Sequence, residues 1–180
     1  SGGAGIQADI KTITAHRLYA ETAITAITAQ NTLGVTAVQN ISPDIVAAQI
    51  DAVFDDIRPN AVKIGMVSSA EIIDVIADRL SAWNATNVVV DPVMVATSGA
   101  RLIAEDAAEA LTRRLFPLAT VITPNIPEAM ALLDYEVDSE RTQQNAAMLL
   151  TRRFGCASLV KGGHLVNEAN DVLAEPAPLD

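Results

Sequence analysis

The run VVVDPVMV, at residues 88–95, decides which fold the chain must adopt. Six of its eight residues are apolar, so a strand here would be buried on both sides of a sheet, as in parallel sheets covered by helices. Similar short apolar runs lie before and after it, and helical patterns separate them. Strands that alternate with helices at this spacing predict right-handed crossovers and a mostly parallel α/β sheet with helices on both faces.

The alternation predicts strands at residues 23–29, 61–67, 88–95, 120–123 and 158–161, with a further strand starting at 171–174. Helices are predicted at residues 6–18, 43–55, 105–115, 127–133 and 140–154. One more helix would follow residue 68, opened by Ser68 and Glu71 as a capping box. Sheets of this kind bind ligands beyond the carboxyl ends of their strands, so the polar residues there are the first candidates for a site.

Composition limits the kind of protein. With 22 acidic and 12 basic residues the net charge is −10, which argues against nucleic-acid and anionic-membrane partners. No apolar run approaches the ~18–20 residues that cross a bilayer. A chain of 180 residues suits one domain, and the lone Cys156 excludes an internal disulfide and fits a reducing cytoplasm.

The opening segment SGGAGIQADIKT, at residues 1–12, has no start methionine and places three glycines directly before a predicted helix. Glycines let a chain pass close to a ligand, and the first N–H groups of a helix are free to bind one. Asp9 lies one turn into this helix. Its carboxylate would either contact a ligand or serve only the helix, whose dipole stabilises a negative charge near the N-terminus. A buried strand normally precedes such a loop, so we expect the chain to begin in the middle of a ligand-binding unit.

Polar residues follow several predicted strands. Gln30 offers a donor beside an acceptor, which suits a heterocycle with a ring nitrogen next to an amino group, or a loop hydrogen bond. Asp91 ends an apolar strand, where an acid must be hydrogen-bonded or ion-paired, so we expect it to face the ligand crevice. Met66 and Val93 also fall at strand ends and would line an apolar pocket wall or pack in the core.

Two further motifs leave alternatives open. Asn125 and Glu128 lie three residues apart at a helix start, which suits either Mg²⁺, bound directly or through water, or a helix cap. Lys161 and Gly162 belong to KGGH, residues 161–164, which would meet a phosphate or simply end a strand. His16 and His164 have no neighbouring ligand residues, so no zinc site is predicted. The sequence contains no Walker A motif, which excludes a P-loop NTPase, and no G-x-S-x-G element, which counts against an α/β-hydrolase.

Six segments occur in the order and spacing of one family: SGGAGIQADIKT (1–12), ITAQNTLGV (27–35), KIGMV (63–67), VVVDPVMVATSGARL (88–102), ITPNIPEA (122–129) and LVKGGH (159–164). Over essentially its whole length the chain resembles the hydroxymethylpyrimidine/phosphomethylpyrimidine kinases of thiamine synthesis, in the ribokinase-like superfamily. The resemblance implies a three-layer α/β/α fold with a mostly parallel central sheet, and a single kinase domain over residues 1–180. It also implies a cytoplasmic enzyme that is a homodimer at full length.

The resemblance implies that MgATP phosphorylates 4-amino-5-hydroxymethyl-2-methylpyrimidine and then its monophosphate. Gln30 and Asp9 would hydrogen-bond the pyrimidine, in a pocket shaped by Ala4, Met66 and Val93. Asn125 and Glu128 would organise Mg²⁺ through water. Lys161 and Gly162 would lie beside the nucleotide phosphates, with Asp91 near the transferring phosphate and the metal.

The chain departs from the family at both ends. The resemblance places a first strand before Ser1 and a glycine-rich GTGC-type loop beyond Asp180, and that loop would stabilise the transferring phosphoryl group. We therefore expect a fragment with no catalytic residue of its own and no ATP-dependent turnover, whereas a version extended at both ends would be active. Two alternatives remain: a pyridoxal or pyridoxamine kinase, which SGGAGIQAD followed by TAQNT disfavours, and a non-catalytic pyrimidine-binding module.

Overall fold

The structure is a computed structural model that describes residues 2–94, 105–163 and 169–177. Its strands, in chain order, are β1 (Ala26–Asn31), β2 (Gly34–Asn40), β3 (Val62–Ile64), β4 (Val88–Val90), β5 (Val121–Ile122), β6 (Ala157–Val160) and β7 (Val172–Ala174). Its helices are α1 (Gly5–Ala15), α2 (Pro43–Asp56), α3 (Ala70–Ala82), α4 (Glu105–Ala110), α5 (Ile126–Leu133) and α6 (Glu140–Phe154). A π-helical turn, Leu111–Leu115, and a 3₁₀ turn, Phe116–Leu118, follow α4.

A five-stranded sheet in the order β3-β4-β5-β6-β7 forms the centre of the molecule. The first four strands are parallel, and β7 pairs with β6 in the antiparallel direction. This confirms the mostly parallel sheet. The run at 88–95 is a strand only as far as Val90, because the chain leaves the sheet at Asp91; Val95 lies outside the described residues.

The core lies on one face of this sheet. Alternate side chains of the strands, among them Ile64, Val90, Ile122 and Val160, are buried in a single cluster with the apolar sides of the helices from α2 to α6. Successive residues of a strand point to opposite faces, so Lys63 and Val89 lie on the other face, where Lys63 is exposed and Val89 only half-buried. The expectation of burial on both faces at residues 88–95 therefore holds for one face of β4 only.

Helix α1 lies on the opposite side of the sheet from this core. Lys63 Nζ contacts the Asp9 carboxylate of α1 at 3.1 Å, and no residue of α1 is buried. Helices are thus found on both sides of the sheet, as expected for this fold class. None of the helices within the described ranges is long and apolar enough to cross a bilayer.

The strand predicted at residues 23–29 exists as β1, shifted to Ala26–Asn31, but its assignment to the parallel sheet is wrong. Instead, β1 pairs antiparallel with β2 in a separate hairpin, with Ala26 opposite Asn40 and Asn31 opposite Gly34. Asn31 closes the turn, since its Oδ1 accepts from the backbone N–H groups of Leu33 at 2.8 Å and Gly34 at 3.2 Å. An asparagine followed three residues later by glycine, between β-branched runs, was the signal for this turn.

The capping box predicted from Ser68 and Glu71 is also wrong, by one residue. Ser69 is the N-cap of α3, and its Oγ accepts from the Ile72 N–H at 3.3 Å. Ser68 Oγ instead donates to Asn40 Oδ1 at 2.9 Å, which ties the base of the hairpin to the chain beyond β3. Either of two neighbouring serines can cap a helix. Here Ser68 is bonded to Asn40, so Ser69 is the cap.

Candidate functional site

Three polar side chains meet beyond the carboxyl ends of β4, β5 and β6. Lys161 Nζ donates to Asp91 Oδ1 at 2.7 Å, and Thr123 Oγ1 donates to the same oxygen at 3.2 Å. Each follows one of three adjacent parallel strands, so the sheet itself brings them together. The condition that an acid here be hydrogen-bonded or ion-paired is met, with Lys161 as the ionic partner, while the prediction that Asp91 faces a ligand crevice stays a prediction.

The start of α5 lies next to Lys161. The Lys161 N–H donates to the carbonyl of Pro124 at 2.8 Å, and Asn125 and Lys161 form a parallel bridge. The residues predicted to organise a metal and those predicted to meet phosphate are therefore neighbours at one edge of the sheet.

Asn125 and Glu128 form a reciprocal capping box, one of the two alternatives that their spacing left open. Asn125 Oδ1 accepts from the Glu128 N–H at 2.8 Å, and Glu128 Oε2 accepts from the Asn125 N–H at 2.8 Å. Glu128 Oε1 also accepts from the Met94 N–H at 3.4 Å, and the residue is only 2% exposed. Both side chains therefore hold the entry to α5 in place, and their role toward Mg²⁺ stays a prediction.

Burial is the main cause that raises the pKa of Glu128 above its ordinary value of 4.5. The Asn125 N–H and the charge of Lys161 act in the opposite direction, while the negative charge of Asp91 adds to the rise in the pKa of Glu128. A buried carboxyl group that shares its surroundings with a second acid and a lysine is typical of functional sites, and also of structural ion-pair networks.

We expect the titration of Glu128 to appear in the pH dependence of stability. Because its pKa is raised on folding, the folded state binds more protons than the unfolded chain between pH 4.5 and the raised value. The free energy of unfolding contributed by this group therefore falls as the pH rises through that window. Urea unfolding at a series of pH values should show this fall in the wild type relative to Glu128→Gln. Parallel profiles for the two proteins would contradict the assignment.

The oxygen atoms at this edge suit magnesium better than a softer metal. Within residues 2–94, 105–163 and 169–177, no group of three or more His, Cys, Asp or Glu side chains is placed to hold a metal ion. Mg²⁺ needs no such cage, because it keeps several waters and takes one or two carboxylates together with substrate phosphates. The carboxylate of Asp91 and the amide and carboxylate at the start of α5 fit that pattern.

Gly162 is held tightly against the chain that returns to β7. Its N–H donates to Asp171 Oδ1 at 2.8 Å. A Cβ at this position would lie 2.8 Å from the backbone carbon and nitrogen of Asn170, and nearer still to the carbonyl oxygen. Glycine is therefore required here by a close approach between two backbone segments. His164, the last residue of KGGH, lies outside the described residues.

Asp9 has a partner that the sequence did not reveal. Lys63 Nζ lies 3.1 Å from one oxygen of Asp9 and 3.2 Å from the other, and both side chains are about one-third exposed, at 38% and 34%. A lysine inside the apolar run AVKIGMV was the available signal, because a charge within a strand needs solvent or an opposite charge. The pair fixes the Asp9 carboxylate relative to β3.

The other predicted substrate residues lie on elements that meet near the end of β3. Thr25 Oγ1, just before β1, donates to the Met66 carbonyl at 3.4 Å, so the hairpin base contacts Met66. Gln30 lies in β1 opposite Val35, where the register shifts, rather than beyond a strand end. Ala4 is the exposed N-cap of α1, and Val93 is half-buried. That these side chains converge on one ring stays a prediction.

Comparison with known proteins identifies the family. The sequence model of the family described as phosphomethylpyrimidine kinase matches residues 1–179. The chain belongs to this family. It is 48% identical over 172 residues to a hydroxymethylpyrimidine/phosphomethylpyrimidine kinase of Escherichia coli K12, a match that covers 93% of this chain and 64% of that protein. The chain thus spans slightly less than two-thirds of this relative.

Solved structures of the phosphomethylpyrimidine kinase family and its neighbours share the fold. The phosphomethylpyrimidine kinase (thiD) of Clostridium difficile 630 superposes with a TM-score of 0.91 at 48% identity, covering 97% of this chain and 76% of that chain. A pyridoxal kinase from Staphylococcus aureus in complex with AMP-PCP and pyridoxal gives 0.83 at 30% identity, covering 97% and 63%. The ribokinase-like α/β fold that the resemblance implied is confirmed.

Proposed function

We propose that the protein uses MgATP to phosphorylate 4-amino-5-hydroxymethyl-2-methylpyrimidine and then its monophosphate, for thiamine synthesis. The observation that carries the proposal is the Lys161–Asp91 pair at 2.7 Å beside the capped start of α5. This places a cation, two acids and an amide at one edge of a parallel sheet, where a metal–triphosphate can bind. Membership of the phosphomethylpyrimidine kinase family supports the choice of substrate.

In this proposal Lys161 donates to the nucleotide phosphates, and the backbone at Gly162 comes close enough to contact them. Asp91, Asn125 and Glu128 would hold Mg²⁺ through water, and the metal would supply neutralisation of charge on the phosphates. Phosphoryl transfer depends mostly on such positioning and on charge stabilisation. Because the chain spans slightly less than two-thirds of the Escherichia coli relative, the assays below use the full-length protein.

The pyrimidine would lie between α1 and the hairpin. Gln30 can donate to its ring nitrogen and accept from its amino group, and Asp9, held by Lys63, can accept from the same ring. Met66 and Val93 would form the apolar walls, with Ala4 at the entrance of α1. Thr25 and Ser68 bond the hairpin base to the chain after β3, so Gln30 is carried on an element anchored beside Met66.

Pyridoxal phosphorylation is the second candidate, because the Staphylococcus aureus structure that shares this fold is a pyridoxal kinase bound to pyridoxal. The decisive experiment is an ADP-release assay on the full-length protein with the pyrimidine alcohol and with pyridoxal. We expect at least about tenfold higher kcat/KM for the pyrimidine, a difference of about 1.4 kcal/mol. A tenfold preference for pyridoxal would reverse the assignment, and binding of the pyrimidine without turnover would indicate a non-catalytic module.

The Gln30→Ala variant tests the proposed pyrimidine site independently of the nucleotide site. If the amide is paired with the ring, the loss of both hydrogen bonds should weaken pyrimidine binding by about 1–3 kcal/mol, or roughly 5- to 150-fold in Kd. Calorimetric titration of both proteins measures this, with ATP binding as the internal control. Unchanged pyrimidine affinity would remove Gln30 from the site.

We further propose that two copies of the chain associate through the hairpin, in the cytoplasm. Residues 22–43 contain no charged side chain in a protein of net charge −10, so this is where two like-charged copies can approach. Ile27, Leu33 and Val38 are 57%, 95% and 53% exposed there. Light scattering should find a dimer that Ile27→Asp converts to monomers. A monomeric wild type, or a variant that stays dimeric, would refute this interface.

A further inference from the structure

Gln143 is the most deeply buried amide side chain in the part of the chain that the structure describes, at 1% exposure. It lies in the first turns of α6, and its Nε2 donates to two backbone carbonyls, of Val160 at 3.0 Å and of Asn170 at 2.9 Å. A buried amide is costly unless its polar atoms are paired, and here one NH₂ group pairs with two acceptors. Gln143 therefore links the end of β6, at Val160, to the chain just before β7, at Asn170.

The two carbonyls mark where the chain leaves the sheet after β6 and where it returns before β7. Val160 immediately precedes Lys161, and Asn170 is two residues before Val172, the first residue of β7 and the partner of Val160. Two further contacts join the same segments: the Gly162 N–H donates to Asp171 Oδ1 at 2.8 Å, and the Gly162 backbone abuts that of Asn170. Gln143 thus clamps both ends of the segment that starts with Lys161.

The clamp acts on the side of Lys161 that faces β7. Toward β5, the Lys161 N–H is held by the Pro124 carbonyl at 2.8 Å. Toward β7, the strand pairing stops at Val160 opposite Val172. Beyond that pair, hydrogen bonds of Gln143 and Asp171 join the chain after β6 to the chain before β7. Gln143, 18 positions before Lys161 in the chain, thus holds the backbone of the residue directly before that lysine.

We propose that Gln143 is a positioning residue for nucleotide binding: it acts through the backbone of Val160 and Asn170 to hold Lys161 and Gly162 where phosphates bind. The inference rests on the proposed function, and it assigns to α6 a part in the site that its sequence did not indicate. An apolar side chain of similar size would fill the same space but remove the donor that the buried Val160 carbonyl and the Asn170 carbonyl share. The segment after β6 would then shift to bring the Val160 carbonyl to water or to another donor, and Lys161 would shift with it.

The test compares Gln143→Met with a matched control, Thr151→Val, in the full-length protein. Thr151 is also in α6 and also buried, and its Oγ1 donates to the Ala174 carbonyl at 3.2 Å, at the other end of β7. Both variants lose a part-buried hydrogen bond between α6 and the β7 segment. We expect Gln143→Met to raise KM for ATP about 10-fold, as a displaced charge-assisted contact would, with KM for the pyrimidine alcohol within about twofold of wild type. Thr151→Val should leave both KM values unchanged.

Gln143→Glu provides a second readout that a purely structural role would not produce. An ionised carboxylate cannot donate to the two carbonyls, whereas a protonated one can donate to one of them. ATP affinity of this variant, measured by calorimetry with the non-hydrolysable analogue AMP-PCP, should therefore improve relative to wild type as the pH falls from 8 to about 5.5. The pH dependence of Gln143→Glu tests the positioning role of Gln143 even if Gln143→Met does not fold.

The outcomes separate the inference from the proposed function. Wild-type protein that neither binds AMP-PCP nor releases ADP would overturn the proposed function. A wild type that does both, with Gln143→Met indistinguishable from Thr151→Val in KM for ATP, would overturn the role of Gln143 alone. A pH-independent deficit in Gln143→Glu would also count against it, and a selective rise in KM for ATP would support it.

Discussion

Replacing Lys161 by methionine should lower kcat/KM for phosphoryl transfer by about 10²–10³, the usual effect of removing one donor from developing negative charge. Methionine keeps most of the side-chain volume, so the loss would come from the ammonium group. That group lies 2.7 Å from Asp91 Oδ1, at the edge where phosphates are proposed to bind. Steady-state kinetics with the pyrimidine alcohol and ATP measure the effect.

Two controls make the Lys161 result specific. Arg113→Met removes an exposed cation whose partner is Glu109, outside the site, and should leave kcat/KM within about twofold of wild type. Asp91→Asn combined with Lys161→Met tests the pair, and we expect the double variant to lose less than the sum of the single losses in free energy, because the two groups touch. Near-normal kcat/KM in Lys161→Met would exclude this lysine from phosphate binding.

Elements with strong local signals could be predicted from the sequence to the residue. Helix α6 begins at Glu140 and ends at Phe154 as predicted, because Ser139 forms a capping box with Thr142 and Gly155 adopts a left-handed φ of +72°. The cost of burying a charge likewise indicated that Asp91, at a strand end, needs a hydrogen bond or an ion pair, and Lys161 supplies the ion pair. In both cases, the determining interaction lies within a few residues or follows from the cost of burying a charge.

Features that depend on tertiary contacts were missed. The hairpin was predicted as one strand of the main sheet, because AITAITA has the composition of a strand whichever sheet it joins. Lys63 was read as part of an apolar run, and only the fold brings it to Asp9, 54 residues earlier in the chain. Gln143 has no local signal at all, since an amide at this helix position is indistinguishable from a solvated one until β6 and β7 are placed.

Gly162→Ala should be the most disruptive single-methyl change at the site. The added Cβ would lie within 2.8 Å of backbone atoms of Asn170, which cannot rotate away as a side chain could. The two segments would have to separate, breaking the bonds that Gln143 and Asp171 make to them. We expect the free energy of unfolding to fall by about 1–3 kcal/mol, the usual effect of overpacking, and kcat/KM for ATP to fall about 100-fold through displacement of Lys161.

A variant of the neighbouring Gly163 distinguishes the effect of crowding against Asn170 from the effect of backbone strain. Gly163 has a φ of +91°, and a Cβ added there would meet no described atom within 4 Å, so Gly163→Ala strains the backbone without pushing on Asn170. Urea unfolding should show a loss of about 1 kcal/mol for Gly163→Ala, with a much smaller effect on ATP kinetics than in Gly162→Ala. Equal kinetic losses in the two variants would mean that turn conformation, rather than the contact between Gly162 and Asn170, controls the position of Lys161.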